Sequence, residues 1–264
     1  MTGPSTAPHD GLAVADEGAV RTLTIDRPQA MNALDRRVLE RLGEQLDRLA
    51  DDGVRAVVIA GAGEKAFSAG ADLDELAGLS AEDAHAALAL GQRVLRKLAA
   101  APVPVIAAVN GHALGGGFEL ALACSFVVAG ERATFGLPET GLGLIPGYGG
   151  TQRLPALVGA ATARRVVLTG ERLDAQRAWE LGIATEPPIA AGELAARAAE
   201  LAGRIASRGP HATRLALEAL RERIPAAALD HEMALAALAT GSREAAEGVA
   251  AFRERRAPDF GNVR

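Results

Sequence analysis

The chain has 264 residues, 49% of them hydrophobic and 23% charged, with a formal net charge of -5. That length suits one large domain or one domain with an appendage, and the composition supplies a sizeable core. The acidic balance disfavours a nucleic-acid binder, which usually carries a basic stripe, and no apolar run reaches the length of a membrane span.

Aromatic residues make up only 3%, so the core must be built from Ala, Leu and Val in close contact. The one cysteine, Cys124, cannot form an internal disulfide, which fits a reducing compartment. It sits in the apolar run Leu120 to Cys124 and reads as a small core residue. Residues 1–10 are rich in Pro, Thr and Ser and lack the charged-then-apolar pattern of a signal peptide. They read as a loose tail, and the expected location is the cytoplasm.

Ala19 to Ile25 alternates in part and predicts a strand, ended by Asp26-Arg27-Pro28. Leu34 to Leu49 carries apolar residues at 34, 38, 39, 42, 46 and 49, which is helical spacing. Arg55 to Gly61 is a nearly continuous apolar run and predicts a strand buried on both faces. Residues 61–71 read as a loop of small residues. Ser80, Glu82 and Asp83 open a long helix that ends near Ala101, where Pro102-Val103-Pro104 breaks it. Val105 to Val109 predicts another buried strand, stopping at Asn110-Gly111. A helix is expected from about Gly116, and Ser125 to Ala129 predicts a further strand. From about 190 the strand signal vanishes. Helices are expected over Glu193–Ile205, Ala212–Arg223, Ala226–Ala239 and Ser242–Arg256, punctuated by Gly209-Pro210, Pro225 and Gly241. Buried strand, turn and short helix recur at 55–78, 103–124 and 125–157. The pattern predicts an α/β fold of winding ββα units: a tail over 1–10, a catalytic core over 11–200 and a helical region over 201–264.

Three segments can carry chemistry. In Asn110 to Leu120 a buried strand runs into Gly115-Gly116-Gly117 and then a helix. Three consecutive glycines cost chain entropy but let a ligand approach the backbone. The first N–H groups of a helix lack intrahelical partners and lie at its positive end, so the turn can stabilise negative charge on oxygen. It also reads simply as a tight turn packing strand on helix. The spacing matches neither the dinucleotide fingerprint nor the phosphate loop. Glu119 follows in apolar surroundings, where a carboxylate is expensive to bury; facing solvent in the first turn is the competing reading. Glu139 stands alone in a second apolar, Gly/Pro-rich stretch, Thr134 to Gly147. Two lone acids in apolar settings are the pattern of an acid/base pair with shifted pKa values. In the third segment, Lys65 to Leu73, Asp72 reads as a helix-start acid. His112 reads as structural, and Arg153 as a support for its loop or for an interface. No cluster has metal-ligand spacing, so no metal is expected.

Together, Phe67 to Leu73, Asn110 to Leu120, and Phe135 to Glu139 running on to Ile145 through Leu154 resemble the crotonase family, the enoyl-CoA hydratases and isomerases. Glu247 to Pro258 resembles the family's ending. The likeness covers nearly the whole chain after the tail. It implies a crotonase-like ββα spiral core with a C-terminal helical trimerisation region, often paired into hexamers. It implies an oxyanion hole from the N–H groups of Ala71 and Gly116, which would hold the thioester oxygen of an acyl-CoA. It implies that Glu119 and Glu139 hold and activate a water, with Gly147 helping to place it. Other members lack one of the two glutamates, so their joint presence points to hydration of a 2,3 double bond. By resemblance, Gln29, Ala30, Met31, Ala69 and Ala71 line the path of CoA, and Phe252 and Arg255 reach it from a neighbouring subunit. Family members often carry Lys where Gln29 and Arg255 stand. The Gln lacks a charge for the phosphates, whereas Arg255 can pair with one. No cofactor is implied beyond the CoA of the substrate, and the expected partners are acyl-CoA and further copies of the chain, with no nucleic acid or membrane. The alternatives are another crotonase-type reaction (isomerisation, C–C cleavage, decarboxylation or thioester hydrolysis) or a catalytically quiet scaffold on the same fold.

Overall fold

The computed structural model describes residues 11–221 and 224–262. The tail expected over 1–10 and the end of the helix expected to reach 223 lie outside the described residues.

The chain opens with a hairpin of β1 (Leu12–Glu17) and β2 (Val20–Ile25), paired antiparallel. In β2 the alternation is real: Arg21, Leu23 and Ile25 are buried. The sequence reading missed β1 because only Leu12 of its six residues is buried, which leaves no apolar period to detect. Next comes α1 (Arg36–Arg48), opened by Asp35, whose side chain accepts from the Val38 N–H at 2.9 Å. Its buried stripe is Val38, Leu39, Leu42 and Leu46.

A repeated unit then begins. β3 (Ala56–Gly61) and β4 (Ala66–Ser68) lead into α2 (Leu73–Leu76) and α3 (Ala81–Ala99). β5 (Val105–Val109) and β6 (His112–Leu114) lead into α4 (Gly116–Ala123). β7 (Phe126–Ala129) and β8 (Thr134–Gly136) lead, through a 3₁₀ turn at Glu139–Leu142, into α5 (Gly150–Val158) and α6 (Ala160–Thr169). The first strand of each unit joins one sheet, in the order β1-β2-β3-β5-β7. The second joins another, β4-β6-β8, closed by β9 (Leu173–Asp174). Within each sheet the repeated strands pair in parallel, so every turn of the chain advances both sheets by one strand. This is the ββα spiral expected from the motifs.

The loop expected over 61–71 is corrected by β4, which lies inside it, and β6 and β8 are two further strands that the sequence does not mark. These strands are three residues long, too short to show a period. They exist because neighbouring turns of the spiral supply their hydrogen bonds.

After α7 (Ala175–Glu180) come α8 (Leu194–Ala206), α9 (Pro210–Leu220), α10 (Ala226–Thr240) and α11 (Arg243–Glu254). The α8 helix spans position 200. Its Leu194, Ala198 and Ala202 cover the outer face of the first sheet, against Ala56, Val58, Ile106, Ala108 and Val128. The other face, with Val57, Ile59, Val105 and Ala107, belongs to the main core. β3 and β5 are therefore buried on both faces, as their unbroken apolar runs imply. The α10 helix packs along α3, whereas α9 buries none of its residues.

Candidate active site

The site is built where turns of the spiral meet. Gly117, in the first turn of α4, has no room for a side chain: a Cβ there would lie 2.1 Å from the Ser68 carbonyl oxygen. This contact draws the 68–71 segment onto the start of α4. Gly70, at φ +102, sits where a Cβ would lie 3.0 Å from Gly116 N, and Gly115 turns the chain at φ +52. Ala71 is held in register by Leu34, whose N–H donates to Gly70 O at 2.7 Å and whose carbonyl accepts from Asp72 N at 3.2 Å. Pairing of that kind turns the N–H of Ala71 itself away from Leu34, and a Cβ on Gly116 would lie 3.2 Å from Ala71 N. Gly116 opens α4, so its N–H has no intrahelical acceptor. The two amides thus border one small gap at the positive end of a helix.

Glu119 lies one turn further along α4 and is 1% exposed, which excludes the solvent-facing reading. Its Oε1 accepts from Tyr148 N at 2.8 Å and Gly150 N at 2.7 Å. Burial pushes its pKa well above the ordinary carboxylate range. Repulsion from Glu232 and then Glu139 adds to the rise, against the two amide donors. Glu139 opens the 3₁₀ turn, and its Oε1 lies 3.0 Å from the place where a Cβ on Gly115 would stand. Its Oε2 is buried without a hydrogen-bond partner. Burial raises its pKa to about 8, so it carries a proton at neutral pH. Glu139 is among the charges that raise the Glu119 pKa, so the two acids read from the sequence share one region of the molecule.

A third buried acid went unseen. Glu232 of α10 is 2% exposed and accepts from Gly149 N, from Thr151 N at 3.0 Å and from the Thr151 hydroxyl. Its pKa is also raised, by burial first. Four consecutive amides, Tyr148 to Thr151, therefore go alternately to Glu119 and Glu232. The sequence signal lies in spacing: 229, 232, 236 and 240 all fall on the buried stripe of α10, but with Asp230 and His231 beside it Glu232 is not a lone acid in an apolar stretch. Gln92 is a second omission, donating to Leu229 O at 2.7 Å and so tying α3 to α10. Asn32 is a third. At φ 57 it accepts from Arg27 N and donates to Ala62 O and Ala66 O, which fixes the turn at 27–33.

Asp72, His112, Arg153 and Cys124 take the structural roles expected of them. Asp72 caps α2 and pairs with Arg27 at 3.0 Å. His112 Nδ1 bonds the Thr134 hydroxyl at 2.7 Å, across β6 and β8. Arg153 is buried and donates to Tyr148 O at 2.7 Å, supporting the 147–151 turn. Cys124 packs against the core, its thiol pushed up by burial. Gly147 precedes the turn, with its carbonyl 3.5 Å from the Gln92 amide nitrogen. Gln29 and Ala30 lie in a 3₁₀ turn, and Met31 follows at φ 53. The Met31 carbonyl accepts from Ala69 N at 3.0 Å, so this group is brought beside Ala71. Phe252 and Arg255 stand apart on α11 and its C-cap, with Phe252 60% exposed.

The enoyl-CoA hydratase/isomerase family model matches residues 15–263. The chain belongs to the enoyl-CoA hydratase/isomerase family. A crotonyl-CoA hydratase of Syntrophomonas wolfei is 40% identical over 257 residues, covering 96% of this chain and 98% of the relative. A short-chain-enoyl-CoA hydratase of Clostridium acetobutylicum is 40% identical over 212 residues, 80% of this chain and 81% of its own. Among solved structures, the enoyl-CoA hydratase of Bacillus anthracis superposes with a TM-score of 0.77 at 39% identity, covering 95% of this chain and 98% of that one. An enoyl-CoA hydratase/isomerase of Pseudoalteromonas atlantica does so with a TM-score of 0.83 at 32% identity, covering 95% and 99%. Membership in the family extends through the C-terminal helices, including α10 and its Glu232.

Proposed function

We infer that this family member is an enoyl-CoA hydratase, a hydro-lyase that adds water across the 2,3 double bond of an enoyl-CoA thioester. The observation that carries the reading is the flanking of one glycine turn by two carboxylates, the buried Glu119 and the half-buried Glu139 with its inner oxygen shielded, beside the paired amides of Ala71 and Gly116. The thioester oxygen accepts from those two amides and so becomes more electron-withdrawing. Glu119, in the ionised form that the Tyr148 and Gly150 amides favour, takes a proton from water as its oxygen bonds to C3. The electron pair of the double bond moves towards the thioester as an enolate, whose charge the two amides stabilise. Glu139, neutral at pH 7, delivers its proton to C2. Water is thereby divided between C3 and C2, and proton exchange between the carboxylates and solvent resets the pair. Gly147 borders the water position. The relatives named as hydratases support this assignment.

The CoA portion follows the turn at Gln29, Ala30 and Met31 and the segment Ala69 to Ala71, with Phe252 and Arg255 contributed by a neighbouring copy. The reading needs no metal and no cofactor beyond the CoA of the substrate. Leu215, Leu220 and Leu238 are more than half exposed on α9 and α10, which suits residues 201–264 as the surface for a homotrimer or a dimer of trimers. No helix among the described residues is long and apolar enough to cross a membrane, and we place the enzyme in the cytoplasm.

The test is hydration of crotonyl-CoA, followed by loss of the conjugated enoyl absorbance. Glu139→Gln keeps the shape and removes the proton. Turnover should fall by about 100- to 10,000-fold, with CoA-ester affinity within about threefold. Undiminished turnover in this variant would remove Glu139 from the reaction.

A further inference from the structure

The side chain of Tyr148 plays no part in the chemistry described above, yet it occupies a confined space within the site. Its backbone is fixed on both sides, by donation to Glu119 at 2.8 Å and by acceptance from Arg153 at 2.7 Å. The ring lies in a slot between two glycines of different elements. A Cβ on Gly116 would stand 3.0 Å from Cδ2 and Cε2, at one edge of the ring. A Cβ on Gly91 of α3 would stand 2.3 Å from Cε1, at the opposite edge. One phenol thus spans the distance from the oxyanion amides to α3 and is 4% exposed. The cavity left beside it, lined by Leu34, Ala71 and Leu76 with Arg36, Asp72 and Glu75 at its edge, measures only about 20 Å³. That is room for roughly one or two water-sized groups. A larger cavity of about 420 Å³ lies against α11, but its lining includes neither Ala71 nor Tyr148.

We propose that Tyr148 is the specificity-determining residue of this site, its ring closing the acyl pocket and restricting the substrate to short-chain enoyl-CoA esters of about four carbons. The proposal rests on the hydratase reading for its reaction but not for its geometry. A longer chain must displace a ring backed by the α3 backbone at Gly91. Overpacking of that kind should cause roughly a tenfold to hundredfold loss, which is about 1.4–2.8 kcal/mol.

The experiment compares kcat/KM for crotonyl-CoA and 2-octenoyl-CoA in the wild type, Tyr148→Phe, Tyr148→Leu and Tyr148→Ala. In parallel, the affinities of unreactive butyryl-CoA and octanoyl-CoA are measured. The wild type and Tyr148→Phe should favour the shorter ester by about tenfold to a hundredfold, because ring volume and not the hydroxyl sets the limit. Tyr148→Ala, and to a lesser degree Tyr148→Leu, should bring the two esters to within a few-fold. Thermal melts identify any variant that fails to fold, and Tyr148→Leu then carries the comparison. A wild type that handles both esters equally would overturn the proposal. So would folded Leu and Ala variants that keep the wild-type ratio. Binding that follows the expected order without turnover of either ester would support the pocket and refute the hydratase reading instead.

Discussion

Two helix starts face each other across this site, and they are used in opposite ways. At α4 the amide of Gly116 is left without an internal acceptor and borders a gap shared with Ala71. At α5 the amides of Tyr148, Gly149, Gly150 and Thr151 are all taken, alternately by Glu119 and Glu232. Both termini concentrate donors and positive potential. The open one can receive charge that develops on a substrate oxygen. The closed one binds the protein's own carboxylates, so that a buried acid is held in one orientation before substrate arrives. The same device thus gives binding in one place and positioning in the other.

That contrast can be broken chemically, and pH gives the largest effect. Glu139 stands outside both helix starts, with Oε2 unpartnered and its pKa raised to about 8. In the proposed reaction its neutral form is the proton donor, so kcat/KM for hydration should fall by about tenfold per pH unit above that value. The stability contribution has the same sign. It is present below the ordinary carboxylate pKa and lost as pH rises through about 8. A rate that stays flat from pH 7 to pH 10 would show that Glu139 is not the titrating donor.

Glu232→Gln tests the closed terminus next. The amide NH₂ replaces an acceptor with a donor opposite Gly149 or Thr151, which leaves a buried donor unsatisfied at a cost of about 1–3 kcal/mol in thermal or denaturant unfolding. It also removes a charge that raises the Glu119 pKa. The acid limb of the kcat/KM profile should therefore move to lower pH, while kcat falls because the Gly149 and Thr151 amides lose their anchor. A variant that loses stability without moving that limb would make Glu232 purely structural. Thr151→Val removes only the hydroxyl that donates to Glu232 and keeps the amide. It should cost about 1 kcal/mol and leave the pH profile in place.

The legibility of the molecule follows the range of the interactions. β3 and β5 were readable because each is an apolar run long enough to mark a strand buried on both faces. The α3 helix was readable because Ser80 and two acids announce its start. β4, β6 and β8 were not, since three residues carry no period and their pairing comes from turns of the spiral 20 or more positions away. In the site, Glu119 and Glu139 stood out as acids in apolar stretches. Glu232 did not, because its partners lie 81 and 83 residues away in the chain.

What the sequence determined by itself was the order of the strand–turn–helix units, the glycines that permit close backbone approach, and the carriers of the two lone acids. Those properties are local: they depend on backbone freedom, residue volume and the cost of isolating charge. The tertiary structure alone decided which amides would meet. It set Gly116 beside Ala71, gave the start of α5 to two carboxylates from α4 and α10, and placed the Tyr148 ring between Gly91 and Gly116. Packing in three dimensions fixes such partnerships, because a donor's acceptor is set by where distant segments are forced to fit and not by what stands next in the chain.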